Sequence, residues 1–233
     1  LLLVGVLYFF VRVLNLGGTA VGTGLNADIH YCHQIVRSIA SVSGLDLVQA
    51  SDLIDATQNL DGYCAVSGAV KACAVNLGKL SNDLRLMSSG PRTGFGEINL
   101  PAKQNGSSIM PGKVNPVIPE VVNQVVFNII GNDTTITMAC EAGQLELNAF
   151  EPIIFYNLFQ SIETLTCAVR TLVDNCIVGI TANEDHCKQM VDHSVGIITA
   201  LCPYVGYAKA AKLAKEAIAS GSSVRDLILR DQL

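Results

Sequence analysis

Tryptophan is absent from the chain, and all aromatic residues together make up only 6% of it. A β-sandwich leans on aromatic and β-branched side chains. Their scarcity turns expectation toward helices packed through Leu, Ile, Val and Ala. Charge is sparse too: 15% of residues, with 15 Lys+Arg against 20 Asp+Glu and a formal net charge of -5. No basic run occurs, which argues against a nucleic-acid partner. The 8 cysteines include no C-x-x-C pair and no zinc-type spacing. Most have apolar neighbours, as in "VKACAV", and read as small buried hydrophobes of a reducing, cytoplasmic protein. His30 and His33 share an i, i+3 spacing without a carboxylate cluster, so no metal site is expected. The G-x-S-x-G elbow of serine hydrolases is missing. "GGTAVGTG", Gly17 to Gly24, lacks the P-loop ending and is not G-x-G-x-x-G. Its glycines read as a close backbone approach to a helix or a ligand.

A membrane-length apolar run is also lacking. "LLLVGVLYFF" continues to Val11 and stops at Arg12, well short of the about 20 residues a spanning helix needs. It has neither the basic n-region nor the cleavage site of a signal peptide. Two readings remain: a buried helix cut from a longer protein, or sequence foreign to the fold. "SVRDLILRDQL" stops while an amphipathic pattern is still running. The chain therefore reads as a fragment.

What the sequence does contain is helical periodicity. "DLVQASDLIDATQNL" places Leu47, Leu53, Ile54 and Leu60 on one helical face. A helix of about seven turns is predicted from Asp61, a candidate N-cap, to Gly90. Ser88 to Pro111 then breaks all periodicity with Gly, Pro and Ser. Excursions this long in compact proteins are usually functional or disordered. Helices follow from Pro116 to Gly143 and from Glu151 to a C-cap at Gly179. Both are apolar nearly all round, which fits burial on several sides. The predicted fold is all-α, an elongated long-helix bundle completed by other subunits. It spans a central domain over 15–182 and a smaller helical C-terminal domain over 183–233, with 1–14 standing apart.

"NGSSIMPGKVNP", Asn105 to Pro116, is the polar exception. Pro111-Gly112 is a turn signal, and Pro116 holds Asn115 extended and can open the next helix. A helix N-terminus near Lys113 and Asn115 offers N–H groups and a positive dipole end to an anion. On these residues alone, an anion-binding loop and an ordinary surface loop both stand.

"GSSIMPGKVNP" also resembles the signature loop of the aspartase/fumarase superfamily, whose members eliminate a group β to a carboxylate and release fumarate. "NLGGTAVGTGLNA", "SGPRTGFGEINLP", "IIGNDTTITMACEAGQLELN" and "GITANEDHC" resemble it in the same order. The resemblance runs from about Asn15 to Leu233 and leaves residues 1–14 out. "EAGQLELN" followed by "FEP" is similar to the aspartase branch. Fumarases typically differ at Glu141, Gln144 and Glu151.

The resemblance implies a lyase acting on L-aspartate. Ser107 would be the base that takes the Cβ proton, giving an aci-carboxylate that expels ammonia. Lys113 and Asn115 would bind substrate, Ser108, Ile109 and Met110 would close on it, and Glu120 would support the site. No cofactor and no metal are implied. A homotetramer is implied, with each site shared among three subunits, and the other two site regions would precede residue 1. The alternatives are a fumarate hydratase and a non-catalytic structural homologue.

Overall fold

The computed structural model describes residues 10–90, 92–104, 109–110 and 112–232. The described part is all-α apart from two-residue strands. It forms two compact units, Leu1–Leu84 with Lys103–Cys176, and Arg85–Ala102 with Ile177–Leu233.

In the first unit, β1 (Val13–Leu14) runs parallel to β2 (Val48–Gln49). Arg12 reaches Asp46 at 2.7 Å, so the end of the 1–14 segment takes part in this unit. Between the strands lies α1 (Ile29–Ser43). Asp28 caps it by accepting the N–H groups of His30 and Tyr31, and Gly44 ends it at φ 69°. The Gly17–Gly24 segment folds over this region, and Gly22 has φ 83°. A Cβ at Gly22 would stand 2.3 Å from Cα of Ile54. The glycines thus serve a close approach to neighbouring backbone. Gly22→Ala is expected to cost roughly 2–4 kcal/mol, from overpacking plus left-handed strain. Denaturant titration of the chain checks this, and a cost near zero would refute it.

The helix expected over Asp46–Leu60 does not form. Val48 N–H bonds to Arg12 O and Ala50 N–H to Leu14 O, which draws 48–50 into the strand pair. Asp52 Oδ1 accepts the N–H groups of Ile54 and Asp55 and starts a separate helix, α2 (Asp55–Gln58). The apolar spacing was real, but competing backbone partners overrode it.

Three long helices follow: α3 (Asp61–Met87), α4 (Val117–Glu141) and α5 (Glu151–Leu172). Asp61 is the first helical residue of α3 rather than the cap before it. Leu60, Val66, Ile136, Ala139, Ile154 and Leu158 form one buried cluster across the bundle. Gly78 lets α3 approach α4: a Cβ there would sit 3.2 Å from Val126 Cγ1. Asn132 Nδ2 donates to Ser161 Oγ at 3.1 Å and ties α4 to α5. Phe127, Met138, Tyr156 and Phe159 remain largely exposed on the outer faces.

The predicted run to a Gly179 C-cap is corrected. After Leu172 the chain makes a π-helical segment, Val173–Ile177. Gly179 has no left-handed φ, and a Cβ on it would stand 2.7 Å from Pro101 Cγ. Glycine is needed there for packing, not for a cap.

In the second unit, β3 (Ile98–Asn99) pairs antiparallel with β4 (Thr181–Ala182). Asn183 Nδ2 donates to Gly96 O at 2.6 Å, and His186 Nε2 lies 2.7 Å from Phe95 O. Then come α6 (Glu184–Asp192), a 3-10 segment (Val195–Leu201), α7 (Cys202–Val205), α8 (Tyr207–Ser220) and α9 (Val224–Arg230). Their core includes Ile198, Leu213, Val224 and Leu227. Among the described residues no helix is long and apolar enough to cross a membrane.

Candidate active site

The polar loop leads into α4 within the first unit. Gly112 has φ 82°, and Lys113 N–H bonds to Met110 O at 3.3 Å, closing the expected turn. Ile109, Met110 and Lys113 are exposed, while Asn115 and Glu120 are half-buried. Ser107 and Ser108 lie outside the described residues, as do Asn105, Gly106 and Pro111. The structure thus brings Lys113, Asn115 and Glu120 to the start of one helix.

The start of α4 differs from the expected open donor set. Pro116 caps it without a side-chain hydrogen bond. Val117 N–H is spent on Asn115 O at 2.9 Å and Glu120 N–H on Pro116 O at 3.1 Å. Pro119 has no N–H and is fully buried. Fewer backbone donors face an anion than the pattern implied. The weight shifts to the Lys113 ammonium and the Asn115 amide.

What fixes this helix start was missed in the sequence. Asn123 Nδ2 donates to Gly78 O at 3.2 Å, within a buried seam that includes Val122 and Val126. About three turns further along, Asp133 is buried and accepts from Ser67 Oγ at 2.7 Å and Lys71 Nζ at 2.5 Å. The available signal was a polar residue inside an apolar helix, as in "VVNQVV". Among the described residues, no group of three or more His, Cys, Asp or Glu side chains could hold a metal.

The stretch separating aspartase-like from fumarase-like patterns forms the turn between α4 and α5. Gln144 and Leu147 exchange backbone hydrogen bonds at 3.0 and 3.3 Å. Leu145 at the tip has φ 51° and is exposed. Asn148 Nδ2 bonds to the carbonyls of Ala139 and Cys140, closing the end of α4. Glu151 opens α5 and lines a recess of about 230 Å³ with Asp55, Asp61 and Tyr63. Burial, and secondarily Glu151, pushes the Tyr63 phenol above its ordinary pKa.

A family model described as "Lyase" matches residues 9–131. The chain belongs to that lyase family. The match takes in residues 9–14, ahead of Asn15. A model described as the fumarase C C-terminus matches residues 197–233 of this lyase-family chain. Aspartate ammonia-lyase of Bacillus subtilis is 57% identical over 93% of the chain and 46% of its own length. The enzyme of the same name from Helicobacter pylori is 55% identical over 96% of the chain and 48% of its own length. The lyase-family chain thus spans about half the length of the curated relatives it matches.

Among solved structures, the cobalt-bound "fumarate lyase:delta crystallin" of Brucella melitensis has a TM-score of 0.94 at 49% identity. It covers 99% of this chain and 50% of its own. Class II fumarase of Schistosoma mansoni has a TM-score of 0.92 at 34% identity, covering 100% of this chain and 52% of its own. These relatives place the lyase-family chain in the aspartase/fumarase superfamily.

Proposed function

We propose that this chain supplies the serine-loop half of an aspartate ammonia-lyase, which removes ammonia from L-aspartate and leaves fumarate. The observation that carries the reading is the loop itself. Gly106 to Pro116 keeps Ser107, Lys113 and Asn115 in one stretch that runs into the N-terminus of α4. The identity to enzymes of that name supports it.

Ser107 takes the Cβ proton, and the electron pair moves into the β-carboxylate to give an aci-carboxylate. Its collapse forms the C=C bond and expels ammonia from Cα. A serine hydroxyl is a poor base in water, so positive charge must hold its deprotonated form. Lys113 supplies a full charge. Asn115 and Lys113 also hold the carboxylate as its charge doubles, which stabilises the transition state more than the substrate. Ser108, Ile109 and Met110 close on the substrate, and Glu120 supports the site from the first turn of α4. The substrate's own carboxylate acidifies the Cβ proton, so the step requires no organic cofactor.

The exposed apolar residues of α4 and α5, Phe127, Met138, Tyr156 and Phe159, suit burial against other copies. The proposed assembly is a cytoplasmic homotetramer whose active sites are shared between subunits. The fumarase reading has two observations in its favour, the TM-score of 0.92 to the Schistosoma mansoni enzyme and the match of residues 197–233 to the fumarase C C-terminus. The aspartate ammonia-lyases are the more similar in sequence. A purely structural homologue would have no use for Ser107, Lys113 and Asn115 together.

The test is a chimera in which this chain replaces the matching half of the Bacillus subtilis enzyme. The chimera is expected to sediment as a tetramer and to release ammonia and fumarate from L-aspartate. Malate as the main product from fumarate would move the assignment to a fumarate hydratase. A well-behaved monomer would contradict the shared-site assembly.

A further inference from the structure

We propose that Cys64 and Cys140 are a peroxide-sensitive thiol pair that closes into a disulfide between α3 and α4. Cys64 lies near the start of α3 and Cys140 near the end of α4, and both are partly buried. The Cys140 thiol donates to Leu60 O at 3.2 Å. That same carbonyl accepts the backbone N–H of Cys64 at 3.4 Å. The Cys64 sulfur sits 3.7 Å from Thr137 Oγ1, and Thr137 lies one turn before Cys140 on α4. Each thiol therefore contacts a residue about one turn from its counterpart, Thr137 on α4 for Cys64 and Leu60 just before α3 for Cys140.

The surrounding packing holds the two turns in place. Cys140 rests against the buried cluster that includes Leu60, Val66, Ile136 and Ala139. Closure links two turns whose backbone is held by that core. Other thiols contact different segments. Cys187 bonds to Glu97 O, Cys202 bonds to Ile198 O, and Cys176 is buried.

The chemistry balances with a hydroperoxide as oxidant. Burial first, and the neighbouring Cys64 second, push the Cys140 thiol up to about 11. The first attack is assigned to Cys64, whose sulfur faces Thr137 Oγ1, while Cys140 packs against the buried cluster. The Cys64 thiolate displaces hydroxide from hydrogen peroxide as the O–O bond breaks, and becomes a sulfenic acid. The Cys140 sulfur then attacks the Cys64 sulfur. The S–O bond breaks, and the hydroxyl leaves as water with the Cys140 proton. Two thiols and one peroxide give one disulfide and two waters. This inference does not depend on the proposed lyase activity.

The test uses the chain itself. It is treated with hydrogen peroxide, its remaining thiols are alkylated, and it is digested for mass spectrometry. The expected result is a linked peptide joining Cys64 to Cys140 and an intact mass lower by about 2 Da, reversed by a dithiol reductant. Cys64→Ser and Cys140→Ser each abolish the link, and Cys73→Ser keeps it. Should a variant fail to fold, the peptide map of the unaltered chain decides alone. Sulfinic acid at Cys64 without the link would overturn the proposal. So would scrambled links among the other cysteines, or links only between molecules.

Discussion

Ser107→Ala in the chimera is expected to lower kcat by roughly 10²–10⁴, the usual range for a positioned base. On the proposed reading KM for L-aspartate should change little, because Lys113 and Asn115 would still hold the carboxylate. The thermal midpoint should also hold, since a serine in a loop rich in Gly and Pro carries little of the helical core. Lys113→Ala is the informative partner. Its charge acts on substrate and transition state alike, so both KM and kcat suffer. The measurement is steady-state kinetics on L-aspartate for the two variants. Near-normal kcat in Ser107→Ala would remove Ser107 as the base and leave the family membership untouched.

The second large effect belongs to the α3–α4 seam. Lys71→Met leaves the buried Asp133 carboxylate with Ser67 but without its cation. Breaking a fully buried pair costs about 3–5 kcal/mol. The Lys71 side chain is 42% exposed, against 7% for Asp133. Solvent therefore screens part of the interaction, and a loss of roughly 2–4 kcal/mol is expected. For a chain of this size that lowers the thermal midpoint by about 2–4 °C per kcal/mol. Lys71→Met combined with Asp133→Leu should recover most of the loss, because an apolar pair no longer buries an uncompensated charge. Scanning calorimetry of the wild type and both variants checks this. A single variant as stable as the wild type would show that the pair is already compensated by solvent.

Asn123 and Asp133 illustrate what was hard to read. Each stands in an apolar stretch, and sequence alone marks it only as out of place. Its partner, Gly78 O or Lys71 Nζ, is 45 or 62 residues away along the chain. No local pattern links such positions. Seam residues of this kind set where the start of α4 sits, and with it Lys113 and Asn115. The first-turn donors show the same limit. Pro119 was visible, but the capture of Val117 N–H by Asn115 O is a detail of loop geometry.

The long helices were legible because their cause is local. Ala-rich and apolar periodic stretches over 61–87, 117–141 and 151–172 have no nearer partners for their N–H groups than their own carbonyls. The polar loop was legible for the same reason, since Pro-Gly and Asn-Pro break a helix wherever they stand. The 46–60 stretch has equally good apolar spacing, yet tertiary partners decided it: Arg12 and Leu14 carbonyls drew 48–50 into a strand pair. Gly179 went the same way, because its need for hydrogen in place of Cβ comes from Pro101, 78 residues earlier. By itself the sequence determined where helices form and where they must break, because those outcomes depend on neighbours within one or two turns. Only the tertiary structure decided which polar groups meet across the bundle, because a hydrogen bond or ion pair is fixed by distance in space and not by distance along the chain.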